Sequence, residues 1–309
     1  MNNTNVKDFA GKKKLWLIIS LALFAVIAIF AVIRGVEVAI EFKGGTIISY
    51  SYQGDSDLAT IQKDIEDYLK TPVTIQSGEN LSGDSKSVSI SFSSDEGLSA
   101  ERQSGLTALI KEKFTDGNFE VLDSNDVNPT SGREFFIKCL IAAVIAAILI
   151  IVYIGIRFKQ ISGWSAGVCA VIALLHDLII SFGVFVVMGF EINSNFIAVI
   201  LTILGYSVND TIVIYDRIRE NRSIMKNASV TELVNTSVTQ SLRRSVRTSV
   251  TTVSTMLIVS IVAYIYGVTS ILSFSIPIMI GMIAGTYSSL CIASSIWVWW
   301  HERKDNKAK

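Results

Sequence analysis

The sequence has little of what disulfide frameworks, metal sites and histidine-based enzymes are made of. Only three cysteines and two histidines occur in 309 residues. Cys139, Cys169 and Cys291 all lie in apolar stretches, where cysteine serves mainly as a small packing residue. The composition therefore supports neither a disulfide framework nor a zinc site, and we expect no metal and no other cofactor.

An excess of one charge is also missing, because 27 Lys and Arg balance 27 Asp and Glu. A chain that binds nucleic acid would carry a basic excess, so no nucleic-acid partner is expected. The balance hides a division: residues 34–134 hold nine basic and eighteen acidic residues, a net charge of −9, and the remainder is +9. The acidic segment is most simply a solvated surface, with partner binding as the alternative.

Long apolar runs are what the sequence has in abundance. Half of the residues are hydrophobic and the mean hydropathy is +0.48, which is typical of membrane proteins. Spanning a bilayer takes roughly 20 residues. Six runs predict six transmembrane helices, and Pro277 with Gly281 is expected to break or kink the last one. The runs are residues 15–33, 135–156, 164–188, 195–215, 249–266 and 272–300.

The basic residues predict the orientation in the membrane. If each run crosses once, the four Lys- and Arg-rich segments fall on one side, and the short opposite connections 189–191 and 267–271 contain neither residue. Cytoplasmic loops carry such an excess, so both termini are expected in the cytoplasm of a multi-pass protein. The first run is interpreted as a retained anchor because its apolar core exceeds the roughly 7–15 residues of a signal peptide. The predicted order is a cytoplasmic arm (1–14), helix 1 (15–33), an external domain (34–134), helices 2–6 (135–300) with a basic cytoplasmic loop (216–246), and a cytoplasmic tail (301–309).

The external segment is long enough for one small domain with its own core. Alternating or β-branched patterns predict strands, and amphipathic spacing after Ser or Asp caps predicts helices. The resulting order β-α-β-β-α-β is the ferredoxin-like arrangement. No histidine, phosphate loop or catalytic triad occurs there, which favours a binding or lever module over an active site. The predicted strands are 46–52, 71–76, 87–92 and 118–122, the helices are 56–70 and 99–114, and a turn covers 78–83.

A few ionisable residues interrupt the apolar runs. A carboxylate at a helix centre costs about 2.5–3.5 kcal/mol on insertion scales and usually faces a bundle interior or wet cavity. Asp210 is therefore a candidate proton-accepting group, with a fixed structural pair as the alternative. His176 and Asp177 fit function and structural pairing equally well, and adjacent helical residues diverge by about 100°, so both are not expected to face one cavity. Arg243, Arg244 and Arg247 begin the fifth run, where basic residues are common.

The residues around these charges resemble a known family. The segment Gly205-Tyr206-Ser207-Val208-Asn209-Asp210-Thr211, continuing to Asn221, closely resembles the fourth-helix signature of the SecF family of protein-export membrane subunits. Residues 239–252 resemble its fifth-helix signature, residues 285–289 its sixth, and residues 42–46 the motif after its first helix. The likeness covers nearly the whole chain and follows the order of the six runs.

This resemblance implies a six-helix half of a resistance-nodulation-division type transporter with a small external domain. It implies a SecD partner, the SecYEG channel, an exported unfolded polypeptide as substrate and the bacterial cytoplasmic membrane as location. In the family, a fourth-helix Asp and a fifth-helix Arg serve proton movement driven by the proton-motive force. They correspond here to Asp210, beside Asn209, and to Arg244, with His176, Asp177 and Arg247 as possible accessory residues.

Two departures and three alternatives accompany this interpretation. Glu41 and Lys43 stand where the family has Asp and Thr, and Arg243 and Arg247 flank Arg244 where it has uncharged residues. A passive scaffold of the export channel and a small-molecule/proton antiporter remain alternative functions. An enzyme acting on membrane lipids is least favoured, because the sequence shows no catalytic constellation.

Overall fold

The computed structural model describes residues 6–53, 57–79, 85–92, 99–114 and 117–308. Six helices in this part of the chain are long and apolar enough to cross a membrane, which agrees with the six predicted runs. The sixth consists of α9, a π-helical segment (Ser288–Ala293) and α10. The helices are α1 (Lys13–Arg34), α2 (Ile40–Lys43), α3 (Leu58–Leu69), α4 (Ala100–Lys113), α5 (Pro129–Arg157), α6 (Gly163–Met188), α7 (Ser194–Ile224), α8 (Val230–Ile265), α9 (Thr269–Tyr287) and α10 (Ser294–Ala308).

The segment between α1 and α5 forms an α+β domain on a four-stranded sheet. Its strands are β1 (Gly45–Gln53), β2 (Val73–Glu79), β3 (Ser85–Phe92) and β4 (Glu120–Val127). The sheet order is β2-β3-β1-β4, and every neighbouring pair is antiparallel. With α3 and α4, the elements follow the predicted order β-α-β-β-α-β. The domain core is apolar and includes Ile48, Tyr50, Ile61, Ile90 and Leu106.

The last strand differs most from its predicted bounds. It was expected at residues 118–122 and runs instead over Glu120–Val127. Its sequence is polar and mostly exposed, so its length follows from pairing with β1 and not from its own apolar pattern. Asp57 caps α3, while the other proposed cap, Ser56, and residues 80–83 of the predicted turn lie outside the described residues.

The short helix α2 connects the α+β domain to the membrane bundle. The Glu41 carboxylate accepts hydrogen bonds from the backbone N–H of Ser194, at 2.8 Å, and from its hydroxyl, so it caps the first residue of α7. From the sheet, Gln76 donates to Glu191 at 3.2 Å, just before α7. Burial raises the pKa of the Glu191 carboxyl above its ordinary value. The domain is therefore attached to the beginning of the helix that carries Asp210.

The segment 216–246, predicted as a basic loop, is helical over nearly all its length. α7 continues to Ile224 and α8 begins at Val230, 19 residues before the start predicted at 249. These helical extensions pack through buried apolar side chains, among them Ile218, Leu233 and Val234, and polar contacts join them as well. Asn221 donates to Ser237 and Gln240, each at 2.8 Å. A search for continuous apolar runs does not detect helices whose apolar residues are spaced among polar and charged ones.

The arm before α1 docks on the same extension of α8. The Oδ1 atom of Asn235 accepts the backbone N–H groups of Phe9 and Ala10 at 3.0 and 2.9 Å, and its Nδ2 donates to Asp8 at 2.9 Å. The Gly11 backbone N–H and this amide together hold the pKa of Asp8 below its ordinary value. Asn235 is buried, so the arm depends on one amide for three hydrogen bonds.

Replacing Asn235 with Ala is expected to release the arm. Two backbone donors lose their acceptor, and each buried group left unpaired costs about 1–3 kcal/mol. Amide hydrogen exchange at Phe9 and Ala10 should accelerate by roughly tenfold or more. Thr239→Val is the matched control, since it removes the acceptor of the exposed Lys7 N–H and a hydroxyl that donates to the Asn235 carbonyl oxygen but leaves the Asn235 amide in place. Unchanged exchange in the Asn235 variant would show that other contacts hold the arm.

The break or kink expected at Pro277 and Gly281 does not appear as a break, because α9 continues through both residues. Pro277 lies inside α9, and the regular helix is interrupted 11 residues later, by the π-helical segment Ser288–Ala293. π-Helical turns inside α-helices occur frequently at functional sites. In this one, the Ser288 hydroxyl donates to the buried carboxylate of Asp177.

A polar layer inside the helix bundle

Four membrane helices contribute polar side chains to one buried layer. We call this set the polar layer: Asp177 of α6, Ser207 and Asp210 of α7, Ser249 of α8, and Thr286 and Ser288 of the sixth membrane helix. Both carboxylates are almost completely inaccessible, with exposed fractions of 0% for Asp177 and 3% for Asp210. A buried carboxylate is stable only when it is neutralised, paired or hydrogen-bonded, so the partners of each one determine what it can do.

Asp177 has a full set of partners. Its Oδ2 atom accepts hydrogen bonds from the Ser207 and Ser288 hydroxyls at 2.6 and 2.7 Å. Its Oδ1 atom lies 3.0 Å from Nδ1 of His176. Gly285 packs beside it, and a Cβ at that position would lie 3.5 Å from the Asp177 Oδ2 atom. Asp177 thus joins three membrane helices through two hydroxyls.

Asp210 is held less completely. Among the described residues, its Oδ2 atom has no hydrogen-bond partner. Thr286 is the side chain that offers it a hydrogen bond, and Arg244 is the cation whose charge reaches it. No ion pair joins these two described residues, since Arg244 is exposed on α8. The two carboxylates therefore differ in how completely the described residues bond them.

The other predicted site residues divide into two groups. Asn209, Arg243 and Arg247 are exposed, as is Arg244. His176 is buried, packs against the rings of Phe24 and Tyr287, and bonds Asp177. The two adjacent side chains, which were expected to diverge, meet at 3.0 Å between the imidazole and the carboxylate.

Sequence reasoning missed the hydroxyl groups that serve both carboxylates. Thr286 approaches Asp210, Ser288 bonds Asp177, and the Ser289 hydroxyl lies 2.9 Å from that of Thr211. Their signal was present as the run Thr286-Tyr287-Ser288-Ser289, four hydroxyl residues inside an apolar run. The sequence shows how many hydroxyl side chains this segment has. Which way each one points depends on the helix geometry, including the π-helical segment Ser288–Ala293.

Close helix contact makes the layer compact. A Cβ added at Gly281 would lie 2.3 Å from Cδ1 of Ile203 and 2.7 Å from Oγ of Ser181, and one at Gly285 would lie 3.3 Å from Cβ of Ser207. Small residues let membrane helices approach in this way. Within the described residues, no three His, Cys, Asp or Glu side chains are grouped to hold a metal ion. The arrangement suits proton binding by a single carboxylate whose neighbours are hydroxyls.

Comparison with known proteins agrees with this architecture. Residues 107–303 match the family described as "Protein export membrane protein SecD/SecF, C-terminal". The protein translocase subunit SecF of Petrotoga mobilis is 35% identical over 308 residues, covering 98% of each chain. SecDF of Bacillus subtilis is 33% identical over 97% of this chain, which spans 39% of that longer protein.

A solved structure gives the same result in three dimensions. The crystal structure of SecDF from Thermus thermophilus, described as a translocon-associated membrane protein, superposes with a TM-score of 0.77 at 30% identity. The superposition covers 98% of this chain and 40% of that one. SecDF in its super-membrane-facing form matches with a TM-score of 0.70 at 29% identity. Sequence, fold and the order of the six helices agree, and the chain belongs to the SecD/SecF family of protein-export membrane proteins.

Proposed function

We propose that this translocase subunit uses the proton-motive force to promote late steps of protein export. The observation that carries the proposal is the contrast between the two buried carboxylates. Asp177 is saturated with partners, whereas Asp210 has an oxygen without one. A group that must gain and lose a proton in each cycle needs such a free position, and intramembrane carboxylates commonly serve proton relays.

The proposed cycle moves a proton through Asp210. The proton enters from outside, neutralises the carboxylate and leaves to the cytoplasm. Ionised Asp210 attracts Arg244 and protonated Asp210 does not, so α7 and α8 repack between two arrangements. The free energy suffices, because one charge moved through 100 mV supplies about 2.3 kcal/mol.

The external domain receives this motion through Glu41. Its carboxylate caps the N-terminus of α7, and Asp210 lies on the same helix. A shift of α7 would therefore move α2 and the sheet attached to it. The sheet order β2-β3-β1-β4 with helices in the order β-α-β-β-α-β supports a ferredoxin-like domain that acts on the emerging polypeptide as a lever.

The remaining site residues receive supporting roles. His176 and Asp177 anchor α6 to α7 and to the sixth helix, so that only the Asp210 side of the layer changes. Arg247 and Asn209 are exposed on α8 and α7, where a second half of the transporter would contact them. The six helices would then form half of a resistance-nodulation-division type unit. SecD is the proposed partner, since SecDF relatives carry both parts in one chain.

The proposed location is the bacterial cytoplasmic membrane, with both termini in the cytoplasm and the α+β domain outside. The SecYEG channel and an exported unfolded polypeptide complete the set of proposed partners. The solved SecDF described as translocon-associated supports a position beside the channel. The basic arm and tail support the orientation.

The test is release of an exported protein from membrane vesicles with and without a proton-motive force. Vesicles that contain the chain with its SecD partner should release the protein faster when the force is present, and a protonophore should abolish the difference. Vesicles lacking the chain should show no such difference. Equal release with and without the force, at equal abundance of the export channel, would favour the passive scaffold.

A further inference from the structure

An apolar groove lies along α1, and His176, which bonds Asp177 of the polar layer, is part of its wall. It has a volume of about 690 Å³ and lies between α1, α6 and the sixth membrane helix. We call it the α1 groove. Its apolar walls consist of Leu17, Leu21, Phe24, Ile172, Leu175, Ile179, Ile292, Ile296 and Trp299.

The groove lies beside a line of contacts that hold α1 along its length, among them a hydrogen bond from the Tyr287 hydroxyl to the Trp16 carbonyl oxygen and packing of Phe24 against His176. Near the far end of α1, a Cβ at Gly183 would lie 2.3 Å from Cδ1 of Ile27, so α1 and α6 touch there. Near its beginning, the Lys13 ammonium lies 3.2 Å from the Glu302 carboxylate. Between these contacts, Leu21 and Leu175 remain more than half exposed. The gap is a concave apolar surface and not a flat helix face.

The length of the groove matches one leaflet of a bilayer. Along α1 its lining runs from Lys13 to Phe24, which at 1.5 Å per residue is about 16 Å. Half of a hydrocarbon core of about 30 Å is about 15 Å. A single acyl chain that enters at the basic end would therefore reach the closed end near the middle of the membrane.

The charge at the open end selects the class of lipid. Lys14 lines the groove there and is exposed, whereas Lys13 is engaged by Glu302. No acidic side chain is among the described residues of the lining. Trp16 and Trp299 stand at the same end, as aromatic residues do at the headgroup level. Basic residues beside a membrane helix attract anionic headgroups.

We propose that the α1 groove binds one acyl chain of an anionic phospholipid from the leaflet at the basic end of the bundle, with its phosphate on Lys14. The bound chain fills the gap between α1 and α6, and the phosphate keeps the basic arm at the membrane surface. Neither Asp210 nor Arg244 lines the groove, so the site goes beyond the proposed proton cycle.

Native mass spectrometry of the full chain, purified with its SecD partner, tests the site. The probes are phosphatidylglycerol and phosphatidylcholine with identical acyl chains. Lys14→Gln is expected to lower the preference for phosphatidylglycerol about fivefold, since one basic residue near the headgroup contributes about that factor. Lys159→Gln, an exposed lysine outside the groove, is the matched control and should change it less. Equal losses in both variants would reduce the effect to general surface charge and overturn the proposal.

A second pair of variants tests the groove itself. Leu175→Trp is expected to fill part of the groove and lower retention of both lipids about tenfold. This is about the effect of keeping two methylene groups of the acyl chain out of the groove. Leu149→Trp on the exposed face of α5 should leave retention unchanged. Ile172→Trp replaces Leu175→Trp if the latter is not found at normal abundance. Unchanged retention in the groove variant would overturn the proposal.

A photo-crosslinking amino acid in place of Leu21 separates a lipid from a protein occupant. In native membranes it is expected to label phospholipid. Labelling of a polypeptide there would show that the groove is a protein interface, and the lipid site would be wrong.

Discussion

Asp210→Asn is expected to abolish the force-dependent part of protein release while leaving the abundance of the chain unchanged. Asparagine matches the shape of the carboxylic acid and retains an acceptor for Thr286, so the buried layer should remain packed. It cannot take up or give off a proton. Because one charge in a field of 100 mV is worth about 2.3 kcal/mol, the force-dependent rate should fall roughly tenfold or more, to the level seen with a protonophore.

The matched control for this variant lies on the same helix. Asp216 is also on α7, but it is half-exposed and pairs with Arg219 at 2.6 Å. Asp216→Asn removes one carboxylate without entering the polar layer and should keep force-dependent release. If vesicles with Asp210→Asn release the protein as fast as vesicles with the unsubstituted chain, Asp210 takes no part in the mechanism. Equal losses in the two variants would show that the charge of α7, and not the buried position, matters.

The sequence alone identifies Asp210, the acidic member of the proposed pair, more directly than Arg244, the basic member. Asp210 stands alone in an apolar run, so both its burial and its importance follow from the sequence. Arg244 lies among three arginines on a helix whose residues 230–246 were expected to be a loop. Which arginine faces Asp210 depends on the rotation of that helix, and a segment interpreted as a loop carries no information on rotation. All three arginines are exposed, and Arg244 forms no ion pair with Asp210 among the described residues, so its role as the partner stays a prediction.

The hydroxyl partners show a second limit of sequence reasoning. The six apolar runs and the order of strands and helices follow from composition and periodicity, which report burial. Ser207 and Ser288 converge on Asp177 from different helices, 30 and 111 residues away. Such contacts depend on helix rotation and on the π-helical turn, and neither leaves a periodic signal. A set of small hydroxyl residues within an apolar run indicates that a polar partner exists without identifying it.

The contrast between the carboxylates gives Asp177 a different expected phenotype from Asp210. Asp177→Ala leaves the Ser207 hydroxyl and the His176 ring without their buried acceptor, and it opens a cavity beside Gly285. Removing one partner of a buried charged network typically costs about 3–5 kcal/mol. For a chain of this size, we expect the unfolding temperature of the purified protein to fall by about 5–10 °C.

Two further variants show whether Asp177 holds the helices together by hydrogen bonds or carries a proton. Asp177→Asn keeps an oxygen for both serines and offers its amide to the Nδ1 atom of His176, so it should retain both the fold and force-dependent release. Ser288→Ala removes one hydrogen bond of the set and should lower stability by about 1 kcal/mol. Loss of force-dependent release in a stably folded Asp177→Asn would instead make Asp177 a second proton carrier. Because its oxygens are engaged by His176, Ser207 and Ser288, we expect the structural result.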